Sequence, residues 1–553
     1  MRKQQPLQRA RLAIIAASMM SFSVSVFGQT GQSLRTAAAA QAPAAAQPSG
    51  PTRQLSVDEA VKLAIEQNLG LQIERVNPQI QDVTIAQARS FWAPQVTSSL
   101  SRNSTNASNT SILAGPQSTL TFGQLSGGMG LNQLLPTGAN YSVNWTNFRQ
   151  TTTDVSTTFN PKLQSQLLFN VTQPLLRNFA IDNVRQNIAL SHKSRDASDL
   201  QLHARIVQTT QAVKNAYWDL VYQIDNLKAA KQALEVAQQS LHDNTRRVEI
   251  GTMAPIDIVD ARAEVARNEE AVIVAGSQIE QAQDTLKTLI FDPATPDFWN
   301  VRIDPANTVP FQVQAIDTEA AIRNALDKRT DLMIARNNIE QSDVSMRYFR
   351  NQILPDVNAQ AQYSTTGTAG VLLDRNNLGS ILAQRSYGTA LGDLFRSSFP
   401  AWTFALQVGY PLGTSTARAN LERAKLQYQQ SHTQLKNLEM QIAAQVRNVA
   451  RQVAANQKRV ESARASRQLA EEKLAAEEKK FAAGIRETFF VFQAQRDLAT
   501  ARTAEVRATA DYNKSLVDFE AVQEVPVGGS TSSVTTAGAG AIQPGSSAGA
   551  IIR

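Results

Sequence analysis

The chain carries one pattern twice, and this duplication limits its fold more than any other feature. Residues Ala64–Val96 realign on Ala325–Val357 at a constant offset of 261 positions, and Pro94 falls on Pro355. A later block realigns at an offset of 233: Arg185 on Arg418, Asn187 on Asn420, Asn215 on Asn448, Gly251 on Gly484, Ala261 on Ala494. Each half runs helix, strands, long helix, glycine break, helix. Solenoid repeats have periods of about 20–50 residues, so two large mixed units are something else. They suggest a pseudo-symmetric body closed around an axis.

Periodicity gives the element types. Ser56 with Glu59 is a capping-box pattern, opening a helix that runs toward Trp92 with weak points at Gly70 and Pro78. Asp317 caps the counterpart, which ends near Leu354. Pro94 and Pro355 stop the two. Strand-like alternation follows. Tyr141, Val143 and Trp145 alternate with Ser142, Asn144 and Thr146. Leu167, Phe169 and Val171 form another such run. Val357, Ala359, Ala361 and Tyr363 alternate with polar residues, as do Trp402, Phe404, Leu406, Val408 and Tyr410. A soluble sandwich gives the same alternation. Uncharged polar residues on one face and aromatics at both ends of a strand favour a transmembrane barrel.

The strand patterns break at Gln173-Pro174-Leu175 and at Tyr410-Pro411-Leu412. From Asn183 to Ile250 there is neither proline nor glycine, which allows roughly 100 Å of helix at about 1.5 Å per residue. Ile206, Val213, Leu220, Leu227, Leu234, Leu241 and Val248 recur every seven residues. In the second half Val446, Val453, Val460, Leu474 and Phe481 keep that step, with Arg467 in one slot. Val491, Leu498, Tyr512 and Phe519 follow, with Glu505 in another. A seven-residue step predicts left-handed coiled packing of neighbouring helices. Gly251 and Gly484 fit positive φ at a helix end, so each marks the tip of an antiparallel helical hairpin.

Composition excludes several classes. The absence of cysteine removes disulfides, thiolate metal sites and thiol catalysis. Arg2, Lys3, Arg9 and Arg11 precede the apolar run Leu12–Phe27, and Gly28 closes it, so residues 1–28 fit a secretory signal peptide. No other stretch reaches the length of a membrane-spanning helix. The formal charge of +7 includes those four basic residues, and the rest are interspersed with acids. Without a basic stripe bearing aromatics, no nucleic-acid partner is expected. His192, His203, His242 and His432 are scattered, with no HExxH-type pair. No catalytic, metal or cofactor site is expected, and the chain does not look like an enzyme.

The duplicated unit, the opening LSVDEAVKLAIEQN, the strand starts at Trp92-Ala93-Pro94 and Leu354-Pro355, and the strand ends TQPLL and GYPLG together resemble the TolC family of outer-membrane efflux proteins. The tips RVEIGTMAPIDIVDARAE and KFAAGIRETFFVFQAQRD extend the resemblance over residues 54–522. It implies a membrane α+β fold and a homotrimer. A shared transmembrane β-barrel of about four strands per protomer would stand in outer-membrane lipid. A long periplasmic α-helical coiled-coil barrel would hang below it. The expected divisions are signal peptide 1–28, disordered leader 29–53, first repeat 54–290 with strands in 93–174, connector 291–315, second repeat 316–522 with strands in 355–411, and disordered tail 523–553. The implied function is a passive exit duct in a tripartite efflux or type I secretion system. A periplasmic adaptor (membrane fusion) protein and an inner-membrane pump or transporter are its implied partners. Drugs, metal ions, lipids and secreted polypeptides all leave through such ducts.

The resemblance also implies site residues. Asp257 and Arg486 match a charged gate pair at the helix tips. The plainer reading is two solvated charges near helix starts. Phe490 and Gln493 stand where some members carry an acidic ring, so an apolar constriction that gates by dewetting is the alternative. Phe489 and Phe492 are expected to pack between helices. Gly251, Thr252, Met253, Ala254, Gly484 and Ile485 match adaptor-docking positions, and they are also turn residues. The first half has 24 more positions between its prolines than the second, 80 from Pro94 to Pro174 against 56 from Pro355 to Pro411. This surplus either adds a hairpin or lengthens external loops, and the expectation is four strands. The rival function is a periplasmic coiled-coil adaptor without a pore, which should have one hairpin rather than two.

Overall fold

The computed structural model describes residues 52–293, 299–306, 312–374, 380–413 and 415–527. The expected signal peptide, nearly all of the leader and the tail beyond residue 527 lie outside them. In the first half the elements are β1 (Thr52–Leu55), α1 (Val57–Gln67), α2 (Leu69–Arg89), β2 (Gln95–Ser108), β3 (Thr119–Leu134), β4 (Asn140–Thr152), β5 (Phe159–Pro174), α3 (Asn183–Glu249) and α4 (Ile256–Ile290). Next comes β6 (Arg302–Pro305). The second half holds α5 (Thr318–Lys328), α6 (Thr330–Gln352), β7 (Asp356–Leu373), β8 (Ile381–Arg385), α7 (Tyr387–Phe395), β9 (Pro400–Gly409), α8 (Thr416–Ala482) and α9 (Thr488–Ala521).

The capping box forms as its spacing demands. Ser56 Oγ accepts from the Glu59 amide at 3.3 Å, and the Glu59 carboxylate accepts from the Ser56 amide at 3.0 Å. The single helix expected from Ser56 to Trp92 is nonetheless two. The break falls at Asn68, not at Gly70 or Pro78, because the Asn68 side chain caps the second helix through the Leu71 amide at 3.1 Å. Pro78 stays inside α2. The counterpart breaks likewise, at Arg329 between α5 and α6. Asp317 caps α5 through two amides at 3.0 Å.

One antiparallel sheet holds seven strands, in the order β2-β3-β4-β5-β7, with β7 flanked on its far side by β9 and the short β8. This corrects the expectation of about four. The surplus of the first half is a hairpin rather than loop. The alternation signal missed it because β2 is built of Ser, Thr and Asn, and β3 has glycine at 123, 127, 128 and 130. Gly130 has a packing reason: a Cβ there would stand 2.7 Å from Asn144 Oδ1 and 2.8 Å from Thr97 Oγ1.

Since alternate strand residues face opposite ways, register sorts the sheet into two faces. One row pairs Val96 with Leu131, Leu131 with Val143, Val143 with Phe169, Phe169 with Tyr363 and Tyr363 with Trp402. Every large apolar residue exposed in the six long strands lies on this row's face, including Leu100, Met129, Val171, Phe404, Leu406 and Val408. The other face carries Ser99, Asn132, Asn144, Gln166, Asn170, Gln360, Gln362 and Gln407, with Leu120, Phe122, Leu134, Phe148 and Leu168 among its apolar exceptions.

Helix α7 lies on the apolar side of β7 and β5. Tyr387 Oη donates to Asn147 Oδ1 at 2.6 Å, and Thr365 Oγ1 donates to the Leu394 carbonyl at 3.3 Å. Gly367 lets it seat there, since a Cβ would come within 1.8 Å of the Ala390 oxygen.

The helices are long and matched: α3 and α8 have 67 residues each, α4 and α9 have 35 and 34. A core forms where α1 crosses the first hairpin, burying Ala60, Ala64, Val213, Tyr217, Leu220, Leu286 and Ile290. A second forms where α5 and α6 meet α8, burying Ile322, Ala325, Leu332, Ile442 and Val446. Order extends further at both ends than expected. Thr52 and Arg53, assigned to the leader, pair in parallel with β6 inside the connector. Val525, assigned to the tail, is fully buried, and the Glu524 carbonyl accepts from the Thr330 amide at 3.0 Å. Among the described residues no helix is long and apolar enough to cross a membrane.

Candidate functional site

Both hairpin tips close by one hydrogen-bond scheme. The Thr252 amide donates to the Arg247 carbonyl at 2.9 Å and the Gly251 amide to Val248 at 3.0 Å. In the second tip Ile485 donates to Lys480 at 2.9 Å and Gly484 to Phe481 at 3.0 Å. These are paired 6→1 and 5→2 bonds that satisfy the last helical carbonyls. Gly251 and Gly484 have φ of 78° and 74°, in the left-handed region. A Cβ would touch nothing at either site, so backbone geometry alone asks for glycine.

The tips are apolar where a soluble turn would be polar. Ile250, Ile256, Val259, Ile485 and Phe489 are all more than half exposed. Thr252 and Ala254 are exposed beside them and Met253 is half-buried. Ile250, Ile256 and Val259 escaped the sequence reading because each looks like an ordinary helical residue. Their outward direction is set by where the two hairpins leave the tip uncovered.

The gate residues are only partly brought together. No hydrogen bond or ion pair joins Asp257 to Arg486 among the described residues. The Arg486 guanidinium instead reaches back to α8, with Nε 3.7 Å from Glu477 Oε2, and lies 4.2 Å over the Phe490 ring. Glu477 also accepts from Lys480 Nζ at 2.7 Å. That bond, with the Lys480, Arg486 and Lys473 charges, holds its carboxyl below the usual glutamate range. The phenylalanines separate by role. Phe492 is buried as expected. Phe489, expected to pack, is exposed and meets Phe490 edge-on at 5.6 Å. Gln493 is exposed. A cation–π contact unreadable in one dimension joins the hairpins: Arg247 of α3 stands 4.6 Å over Phe481 of α8. Higher up, buried Glu264 of α4 faces Arg496 of α9 at 3.8 Å. No group of His, Asp and Glu among the described residues could hold a metal ion.

Two other surfaces remain uncovered. Strands β2 and β9 each have one unpaired edge. On α2, Leu69, Ile73, Val76, Ile80 and Val83 form an exposed stripe at alternating steps of four and three. Helix α6 lies between α3 and α8, whereas α2 packs principally along α3.

The family model for outer membrane efflux proteins matches residues 60–290 and 321–522, more than three quarters of the chain. No curated protein matches it in sequence. Among solved structures it is similar to the outer membrane protein VceC of Vibrio cholerae, with a TM-score of 0.58 and 16% identity over 85% of this chain and 96% of that one. The CmeC outer membrane channel of Campylobacter jejuni gives a TM-score of 0.58 and 15% identity over 84% and 85% of the two chains. The open state of the MtrE outer membrane channel of Neisseria gonorrhoeae gives 0.57 and 17% identity over 85% and 89%. At these identities the likeness speaks for the fold.

Proposed function

Because the chain belongs to the outer membrane efflux protein family, we propose that three copies close into one passive duct through the outer membrane. In this reading a periplasmic adaptor and an inner-membrane pump or transporter dock at the helix tips and open them. The single observation that carries it is the sheet: in its six long strands all exposed large apolar side chains lie on one face, and β2 and β9 each keep an unpaired edge. An open edge inside lipid leaves backbone amides and carbonyls without partners, so such a sheet must close. Six long strands fall short of the roughly eight needed by the smallest membrane barrels. One copy therefore cannot close alone. The strands alternate in direction along the sheet, so β9 of one copy meets β2 of the next antiparallel, as an even-numbered barrel needs. The wall presents its apolar face to lipid and its Asn, Gln and Ser face to a water-filled lumen.

The α2 stripe supports the same closure. Within one copy α6 sits between two long helices. A neighbouring copy's α8 would give α2 the same double contact, covering five apolar residues that are otherwise in water. At the tips, the exposed isoleucines and Phe489 give an adaptor an apolar landing surface. The contacts of Arg486 with Glu477 and Phe490 lie at the surface, with Arg486 41% exposed, and surface ion pairs are weak. Docking can undo contacts of that strength. The test is extraction and conductance. The protein should need detergent to leave the membrane, run as a heat-sensitive trimer and conduct ions in planar bilayers. A folded monomer released by salt washing overturns the duct.

A further inference from the structure

Two arginines stand side by side just beyond the apolar band of the sheet, at the loop end away from the helices. Arg102 of β2 pairs with Leu125 of β3, and Leu125 pairs with Arg149 of β4. Alternation puts all three on the apolar face, since Arg102 follows Leu100 and Arg149 follows Trp145 and Asn147 at the same parity. Strands about 4.8 Å apart set the two backbones roughly 10 Å from each other, so both guanidinium groups can reach one bound group. Both side chains are exposed, and neither makes a hydrogen bond or ion pair with a described residue. No acid answers them on this face. The single carboxylate in the six long strands, Asp356, is of the opposite parity and pairs with Arg177. Asp393 of α7 forms no ion pair with either arginine. Alongside, α7 makes a ledge whose Tyr387 bonds Asn147, the outward neighbour of Arg149, and whose Phe395 is 75% exposed.

Unpaired arginines above an apolar wall match a molecule with an anionic head and acyl tails. Resting on the barrel reading above, we propose that Arg102 and Arg149 seat the phosphate groups of an anionic lipid of the external leaflet, with its acyl chains along Leu100, Leu125, Met129 and Trp145. Guanidinium groups bind phosphate bidentately, and the apolar rows below supply the chain contact. The site lies on the outer wall of the duct, apart from the cargo path.

The test uses the full-length trimer in dodecyl maltoside, titrated with fluorescent bisphosphorylated lipid A. Arg102→Gln with Arg149→Gln should weaken binding by about tenfold or more. Lys162→Gln, on the opposite face, should leave it unchanged. Dephosphorylated lipid A should bind the native trimer no better than phosphorylated lipid binds the double variant. Arg102→Lys with Arg149→Lys should recover part of the affinity. Equal affinity in native and double-variant trimers overturns the site, as does equal binding of the dephosphorylated lipid. Displacement of the lipid by millimolar inorganic phosphate would identify a free-anion site and overturn the lipid assignment. A chain that never forms a heat-sensitive trimer overturns the duct and this site together, whereas a trimer with unchanged lipid affinity overturns the site alone.

Discussion

Arg467 and Glu505 occupy the two slots where the seven-residue apolar step fails in the second hairpin, and in the folded chain they form an ion pair with each other. Arg464 joins at 3.4 Å, and Glu471 bridges Arg467 at 2.9 Å and Arg502 at 3.1 Å. A charge at a buried seam is costly alone and tolerable in a pair. Arg467→Glu should therefore destabilise the hairpin, and adding Glu505→Arg should restore most of the loss. Both side chains are about a fifth to a quarter exposed, so a coupling of about 1 kcal/mol is expected in a double-mutant cycle on thermal unfolding. The same cluster predicts a pH response. The Glu471 carboxyl lies below the usual glutamate range, first through its bond to Arg502 and then through Arg467. Its stabilisation is therefore full above the ordinary glutamate value and disappears as pH falls through the lowered native value. Unfolding temperature should hold from neutrality to that ordinary value and drop below it, and Glu471→Gln should flatten the drop. Both slots were visible in the sequence as exceptions to the step. Their pairing was not, because 38 residues separate them and only the hairpin register brings them together. At the tips the family resemblance paired Asp257 with Arg486; within one chain Arg486 meets Glu477 and the Phe490 ring.

Elements were legible in proportion to the contrast along them. The long helices announced themselves by a proline-free, glycine-free run and an apolar step, and α3 ends within one residue of the expected Ile250. β9 was legible because Trp402, Phe404, Leu406 and Val408 alternate with smaller residues. β2 was not, since most positions on both of its faces are Ser, Thr and Asn. Helix α7 went unread as well. At nine residues it shows little more than two turns, and its seat depends on Gly367 from another strand. The α2 stripe carries the element-scale prediction. Burying a large aliphatic side chain is worth about 1.5–3 kcal/mol. Val76→Asp with Ile80→Asp should therefore abolish the heat-sensitive trimer band on a semi-native gel while leaving helix content by circular dichroism nearly unchanged. Ala86→Asp, exposed on the same helix and outside the stripe, should leave the trimer intact.

The whole molecule departs most from its sequence-level expectation in width. Six long strands per copy give eighteen for a trimer, where four per copy would give twelve. Barrel diameter grows roughly linearly with strand number, so the membrane pore should be about one and a half times as wide. Electron microscopy of the detergent-solubilised trimer should resolve eighteen strands, and twelve would remove the added hairpin from the wall. Length is constrained differently. The two rods that reach the far end, α3 and α8, match residue for residue in extent. A single extra heptad in one of them would drop its tip by about 10 Å relative to the other. Any lineage that needed to bridge a deeper gap between its two membranes would have to insert the same multiple of seven into all four limbs at once.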